Sequence, residues 1–257
     1  LNGKVNLIAN DKNRVYISAY LGRDKIKVKT DSDDPPFRLG WGNKTFTFRW
    51  NHLFGPKLFS NFTLVHSNYD YGLGVEDGIQ GFEWVSDLKD HTAKADFGYY
   101  LNKDITLRFG IQSTYHSFLP GFARGRGEET IFQELKVPSS DAIESGIYIG
   151  NDHKISPSFS LNYGIRFSLF QNIGSTTVYN FDENFETIDS TVYKKGKIFN
   201  TYSGWEPRIS FKLMTGNTSS IKGSYNRTMQ FIHLASNSTV GSPLDIWLPS
   251  SPNIKPQ

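Results

Sequence analysis

Four arginines occupy equivalent positions in four different segments of the sequence. Each has apolar immediate neighbours and polar or small residues two positions away: Arg49, Arg108, Arg166 and Arg208. A guanidinium group presents its donors in a fixed fork that can bind a carboxylate or a phosphate. Such side chains either line a polar interior, where they contact another domain or an anionic solute, or pair with charged residues on adjacent strands. We favour cross-strand pairing. Both interpretations place the arginines away from lipid, where a charge near the midplane costs about 2–4 kcal/mol.

The sequence contains no pattern typical of a metal centre or a cofactor site. Its six histidines lack the spacing that places two ligands on one helix face: His52, His66, His91, His116, His153 and His233. The acidic run Asp31, Asp33 and Asp34 lacks the glycine and the later glutamate of a calcium-binding loop. We interpret that run as a solvated loop, and we predict neither a metal nor a cofactor.

Catalytic arrangements are also missing from the sequence. There is no cysteine and no Gly-x-Ser-x-Gly turn, either of which could provide a nucleophile. Glu128 and Glu129 are adjacent on a polar segment, without the fixed separation that two carboxylates need for acid–base hydrolysis. The prediction is a protein without enzymatic activity.

The arginines belong to segments in which apolar and polar residues alternate. The clearest is 154–173, where one parity is apolar and the other polar: Phe159, Leu161, Tyr163, Ile165, Phe167 and Leu169 against Ser160, Asn162, Gly164, Arg166 and Ser168. Because successive side chains of a strand point to opposite faces, this pattern predicts one apolar face and one wet face. A strand that crosses a membrane needs roughly 9–11 residues, and this segment is long enough.

About ten such segments follow one another, joined alternately by short polar turns and long polar loops. The turns at 10–13 and 55–57 are short, whereas the loops at 120–140 and 174–201 are long. Outer-membrane barrels have short turns on one side of the membrane and long loops on the other. We therefore predict an all-β fold without helices, an antiparallel up-and-down section of a transmembrane β-barrel.

Aromatic residues make up 15% of the chain, which is typical of barrels with aromatic girdles at both membrane surfaces. Trp50, Trp84 and Trp205 lie in or beside predicted strands, and we interpret them as interface residues. Trp247 lies in the proline-rich tail, and the sequence leaves its role undecided.

Charge and hydropathy exclude other classes of protein. The 257 residues carry a formal net charge of +3, so nucleic-acid binding is not predicted. Mean hydropathy is −0.44, and no run approaches the roughly 18 apolar residues of a transmembrane helix. The chain begins with Leu1, close to a strand-like run, which favours a piece of a longer protein.

The last part of the sequence carries more specific patterns. Residues 205–208 read Trp-Glu-Pro-Arg, residues 224–230 include Ser-Tyr-Asn-Arg and end in Gln, and 245–249 read Asp-Ile-Trp-Leu-Pro before a final Lys-Pro-Gln. In this order they resemble the barrel of TonB-dependent outer-membrane receptors. The resemblance is to the large type whose N-terminus carries a carboxypeptidase-regulatory-like domain.

The resemblance implies a barrel of about 22 strands around a plug domain. Residues 1–257 are expected to form part of one β-barrel domain, with the plug and the closing strands absent from the chain. The implied function is a wall segment of a bacterial outer-membrane transporter for a bulky, scarce solute such as a siderophore, cobalamin or a glycan. The implied partners are membrane lipid, the receptor's own plug domain and the TonB energy-coupling protein; a surface lipoprotein over the external mouth stays open.

Two alternative functions also stay open. One is a passive outer-membrane channel or an adhesin barrel with the same strand rhythm, and a plug domain upstream would decide for active import. The other is a secreted β-sandwich that binds a ligand, and stability in plain buffer without detergent would favour it.

Overall fold

Alternating apolar and polar residues form long antiparallel strands in the computed structural model, which describes residues 1–29, 35–235 and 246–257. The strands are β1 (Asn2–Asn10), β2 (Asn13–Val28), β3 (Phe37–Leu53), β4 (Leu58–Val75), β5 (Phe82–Tyr100), β6 (Ile105–Gly125), β7 (Leu135–Lys136), β8 (Ser140–Lys154), β9 (Phe159–Ile173), β10 (Thr176–Phe181), β11 (Thr187–Tyr193), β12 (Ile198–Met214), β13 (Ser220–Asn226), β14 (Ile232–Leu234) and β15 (Trp247–Pro249). The described ranges contain no helix that is long and apolar enough to span a membrane.

The main sheet confirms the predicted all-β, up-and-down architecture. Its order is β1-β2-β3-β4-β5-β6-β8-β9-β12-β13, and the pairs along this path are antiparallel. Connections such as 54–57 and 101–104 lie on one side of the sheet, and the longer ones, such as 126–139, lie on the other. We call these the short-turn side and the long-loop side.

The strands extend further into the predicted loops than the sequence indicated. β4 and β6 continue to Val75 and Gly125, and a separate hairpin, β10–β11, occupies part of the predicted loop 174–201. In that hairpin Thr177 pairs with Val192 and Tyr179 with Ser190. Backbone pairing does not require an apolar face, so polar segments beyond the apolar rows still form strands.

The register places apolar side chains of neighbouring strands in shared rows. One row crosses seven strands and consists of Trp50, Phe62, Ala95, Ile111, Ile147, Phe167 and Trp205. We call the face that carries this row the apolar face. Ile111 is 57% exposed and Ile147 is 59% exposed, so no second layer of the described chain covers the centre of this face. A soluble β-sandwich would bury such rows against a second sheet.

The buried cluster lies on the opposite side of the sheet, which we call the polar face. Phe118, Ala142 and Phe170, from β6, β8 and β9, pack there with Phe231. Phe231 belongs to residues 227–235 and 246–257, which we call the tail. The tail therefore folds back over the polar face instead of leaving the sheet.

Candidate functional site

A histidine held between two carboxylates lies on the polar face. His116 Nδ1 on β6 is 2.7 Å from Asp90 Oδ1 on β5, and its Nε2 is 3.9 Å from Glu144 Oε2 on β8. The register brings them together, because His116 pairs with Asp90 on one side and with Ala142 on the other. The imidazole side chain is 6% exposed, so a solute cannot reach it directly. The three residues join adjacent strands of the main sheet.

A second polar group connects β9 and β12. Ser168 Oγ donates to Glu206 Oε1, and Arg166 Nε donates to Ser168 Oγ at 2.9 Å. Arg166 also stands directly opposite Glu206 in the register. Burial of a carboxylate is unfavourable unless donors surround it, and Ser168 supplies one here. Gly146, on β8, leaves the space that the Arg166 guanidinium occupies.

The other three predicted arginines lie on the same polar face with different partners. Arg108 Nε donates to Asp152 Oδ2 at 2.6 Å, and Arg49 Nε donates to Thr63 Oγ1 at 3.3 Å. Arg208 lies in the cross-strand row of Arg108, and within the described ranges it forms no ion pair. The Arg108 contact is of the cross-strand kind that the sequence favoured.

Sequence reasoning did not identify Asp90, His116, Glu144 or Glu206 as interacting residues. Their partners lie 26 to 38 positions away in the chain, so only the register brings them together. The sequence signal that was available is the polar parity of these residues within otherwise apolar segments. Their contacts can stabilise a polar surface, but they contain no nucleophile paired with an accessible base.

No group of three or more potential ligands that could hold a metal occurs in the described parts of the chain. The structure does pair two histidines that looked scattered in the sequence. The His66 and His91 rings lie 4.6 Å apart between centroids, at the edge of the apolar face nearest the long-loop side. The acidic run Asp31, Asp33 and Asp34 lies outside the described residues.

An aromatic stack and side-chain hydrogen bonds hold the tail against the polar face. Phe231 stacks on Phe170 with centroids 5.0 Å apart and planes at 6°. Asn172 Nδ2 donates to the Ser250 carbonyl at 2.8 Å, and Tyr202 Oη donates to the Ser251 carbonyl at 2.9 Å. These contacts cover the long-loop end of β9 and β12, and they reduce the polar surface that remains free. Trp247 lies in β15, within this tail.

The three predicted interface tryptophans occupy two different environments. Trp50 and Trp205 share one row of the apolar face, where they contact Phe62 and Phe167 respectively. Trp84 pairs in register with Leu73, which has the parity of Thr63 and therefore belongs to the polar face. Its indole Nε1 lies 3.4 Å from Tyr71 Oη. Trp84 thus lies apart from the apolar rows that contain the other two.

An ion-pair cluster lies at the long-loop end of β5 and β6, beyond the apolar rows. Glu83 accepts hydrogen bonds from Arg124 Nε at 2.9 Å and from Arg126 Nη2 at 2.7 Å. Partial burial raises the pKa of Glu83, but the hydrogen bonds and charges of the two arginines outweigh it. The net pKa therefore lies below the ordinary 4.5. The carboxylate stays ionised and holds both arginines wherever the pH is near neutral.

This lowered pKa predicts a pH dependence confined to the long-loop end. Because the folded pKa is depressed, the stabilisation is complete above the ordinary carboxyl pKa and is lost as the pH falls through the lowered value. We expect amide hydrogen exchange in 124–131, corrected for its intrinsic pH dependence, to stay constant down to about pH 4.5 and to rise several-fold below it. Amides 124–131 of Glu83→Gln should exchange at every pH at the faster rate that the wild type reaches only at low pH. A wild-type rise that persists in Glu83→Gln would assign the pH dependence to another group.

The sequence matches no family model and no curated protein. Its fold is similar to that of the FrpB iron transporter (F3-3 variant) from Neisseria meningitidis, with a TM-score of 0.60 and 12% identity over 91% of this chain and 37% of the other. It is also similar to BauA, the ferric preacinetobactin receptor from Acinetobacter baumannii, with a TM-score of 0.60 and 13% identity over 97% and 42%.

The copper transporter OprC gives a third similarity, with a TM-score of 0.60 and 10% identity over 90% of this chain and 37% of OprC. All three are TonB-dependent receptors. The likeness shows the fold. The chain has the architecture of a section of their barrel wall, and it spans about two fifths of the length of these structures. FrpB and OprC are described as transporters and BauA as a receptor.

Proposed function

We propose that this chain is a wall segment of a TonB-dependent transporter in a bacterial outer membrane. The transported solute would be bulky and scarce, of the siderophore, cobalamin or glycan class. Residues 1–257 would form part of a single barrel domain that encloses a plug. Among the similar structures, FrpB is an iron transporter and BauA is a receptor for ferric preacinetobactin, which supports the siderophore part of this class.

The observation that carries the proposal is the two-sided character of the main sheet. Exposed apolar rows cross one face from β3 to β12, whereas the other face carries hydrogen-bonded charged groups and, at its long-loop end, the buried cluster beneath the tail. A wall between lipid and an aqueous interior requires this distribution, because each strand presents alternate residues to the two media. Trp50 and Trp205 would then be interface residues of the lipid side.

In this proposal the polar face lines the lumen. Arg49, Arg108, Arg166 and Arg208 would face the plug domain or a passing anionic solute, and the ion pairs described above would keep the wall rigid while the plug moves. Energy for that movement would come from TonB. The tail would narrow the lumen near its long-loop mouth, where a surface lipoprotein could also dock.

The experiment uses single cysteines, because this chain has none of its own. Ile165→Cys and Asn162→Cys are introduced into the full-length receptor, after replacement of any cysteine outside this chain, and labelled with a small fluorophore. The receptor is then placed in vesicles containing lipid with a spin label on the acyl chain. We expect strong quenching at position 165, which lies on the apolar face, and weak quenching at position 162, which lies on the polar face.

Asn162→Cys is the matched control, since the two positions lie three residues apart on the same strand and point to opposite faces of the sheet. A water-soluble thiol reagent should give the reverse order of reactivity. Equal quenching at the two positions would contradict the membrane wall. Loss of uptake on deletion of the N-terminal segment through which the full-length protein would contact TonB, with unchanged quenching, would support active import over a passive channel.

A further inference from the structure

A groove lies on the long-loop part of β2 to β5, and the charged side chains and glycines that these strands contribute to it share the parity of Phe46 and Phe62, on the side of the apolar rows. Its volume is about 1180 Å³. Glycines of β3 and β4 form its floor, with Gly40 directly opposite Gly72 in the register. A Cβ added at Gly40 would lie 3.6 Å from Lys25 Cγ, and one at Gly42 would lie 3.7 Å from Arg23 Cγ. Basic side chains therefore stand directly beside a floor without side chains.

Acidic residues also line the groove, but most of them are already paired. Asp70 pairs with Arg23 at 3.1 Å, and Asp87 pairs with Lys89 at 3.2 Å. Arg38 pairs with Glu76 on the connection after β4. Glu83 is held by two arginines, as described above.

Three lysines of the groove keep their charge free. Lys25, Lys27 and Lys44 are exposed and form no ion pair or hydrogen bond within the described residues. They lie in the part of β2 and β3 where the two strands pair near the long-loop side. An excess of unpaired ammonium groups beside a smooth floor suits an anion that can approach the backbone closely.

The position of these lysines relative to the apolar face limits what the anion can be. Lys44 lies two residues before Phe46 on the same face of β3, about 7 Å along the strand towards the long-loop side, so it stands where hydrocarbon would give way to headgroups. Lys25 and Lys27 lie closer to the long-loop side than Lys44, because they pair in register with Gly40 and Arg38. The backbone positions of the three lysines span about 20 Å along the strands, from the row of Lys44 to the row that Lys27 shares with Arg38. A headgroup with one phosphate therefore contacts only Lys44, the lysine nearest the apolar rows.

We propose that this groove, defined by Lys25, Lys27, Lys44 and the glycine floor, binds a multiply phosphorylated glycolipid of the leaflet on the long-loop side. The proposal rests on the membrane wall proposed above. The phosphates pair with the three lysines, the sugars lie on the glycine floor, and the acyl chains lie against the rows that begin with Phe46. Lipid held in this way would anchor the receptor in the leaflet at β2 to β5.

The test measures binding of three probes to the purified full-length receptor in a non-ionic detergent by native mass spectrometry. The probes are diphosphoryl lipid A, phosphatidylcholine and inorganic pyrophosphate. We expect lipid A to bind, phosphatidylcholine to bind much more weakly, and pyrophosphate to compete poorly, since it lacks the acyl chains. The double variant Lys25→Gln/Lys44→Gln should weaken lipid A binding about tenfold or more, and added salt should weaken the wild type in the same direction.

The matched control is Lys12→Gln/Lys103→Gln, which removes two exposed lysines from turns on the short-turn side. It should bind lipid A like the wild type. Gly40→Leu is a second variant that fills the floor without removing charge; the nearest atom to its Cβ would be 3.4 Å away, so the strand should tolerate it. It should also weaken lipid A binding.

Each remaining outcome decides against part of the proposal. If both groove variants bind lipid A like the wild type, the groove is not the site. If pyrophosphate binds as tightly as lipid A and depends on the same lysines, the groove serves a soluble anion and the lipid assignment is wrong. Lipid A binding that fails while Ile165→Cys remains quenched by lipid refutes only the groove; loss of that quenching would refute the membrane wall itself.

Discussion

Replacing Ile147 with arginine should lower the free energy of unfolding of the full-length receptor in bilayers by about 2–4 kcal/mol. Ile147 is 59% exposed at the centre of the apolar face, between Ile111 and Phe167 in the cross-strand row. In a membrane wall that exposure is contact with hydrocarbon, where a guanidinium group has no partner for its donors. The measurement is reversible denaturant unfolding from lipid vesicles.

His153→Arg is the matched control, because it lies on the same strand and the same face but one residue before the short-turn end of β8. An arginine near the interface costs about 0–1 kcal/mol, since it reaches the headgroups. Unfolding free energies that fall by the same small amount in both variants would show that the centre of the apolar face is not in hydrocarbon. The proposed transporter wall would then be wrong.

Phe170→Ala should release the tail from the polar face. Phe170 is 0% exposed and is stacked on Phe231, and truncation of a buried phenylalanine typically costs about 3–5 kcal/mol. The sheet keeps its backbone pairing in this variant, so we expect the loss to appear locally. The measurement is limited proteolysis of the intact receptor, in which cleavage between 229 and 235 should become at least ten times faster than in the wild type.

Phe231→Ala removes the other ring of the stack and should have a similar effect. The control is Phe167→Ala on the same strand, because its ring contacts Trp205 on the apolar face and not the tail. If Phe167→Ala exposes the tail as much as Phe170→Ala does, the cleavage reports general loosening of the sheet. If neither change affects cleavage, the stack does not hold the tail.

The sequence predicted the strands well because their residues repeat with a period of two. Between Phe159 and Leu169 each position could be assigned to a face without knowledge of its neighbours, and the short turns could be recognised by their composition. The same alternation assigned Arg166 and Ser168 to one face of the strand and Ile165 to the opposite face. Loops were predicted less well, since polar segments such as 176–193 carry no apolar pattern that distinguishes a hairpin from an irregular loop.

The groups of the candidate site could not be predicted in this way. His116 meets Asp90 and Glu144, and Glu206 meets Ser168, only because the sheet register places distant strands side by side. The face on which Trp84 lies could not be predicted from its residue type, which indicated only an interface residue. The register with Leu73 places it on the polar face.

By itself, the sequence determined that this protein is a two-faced antiparallel sheet with an apolar and a polar side, because side-chain direction in a strand depends only on parity. The tertiary structure alone decided which polar residues pair, that the tail covers Phe170, and that Lys25 and Lys44 flank a glycine floor. Those features depend on the register between strands and on the path of the tail, and both are set by contacts between residues far apart in the chain.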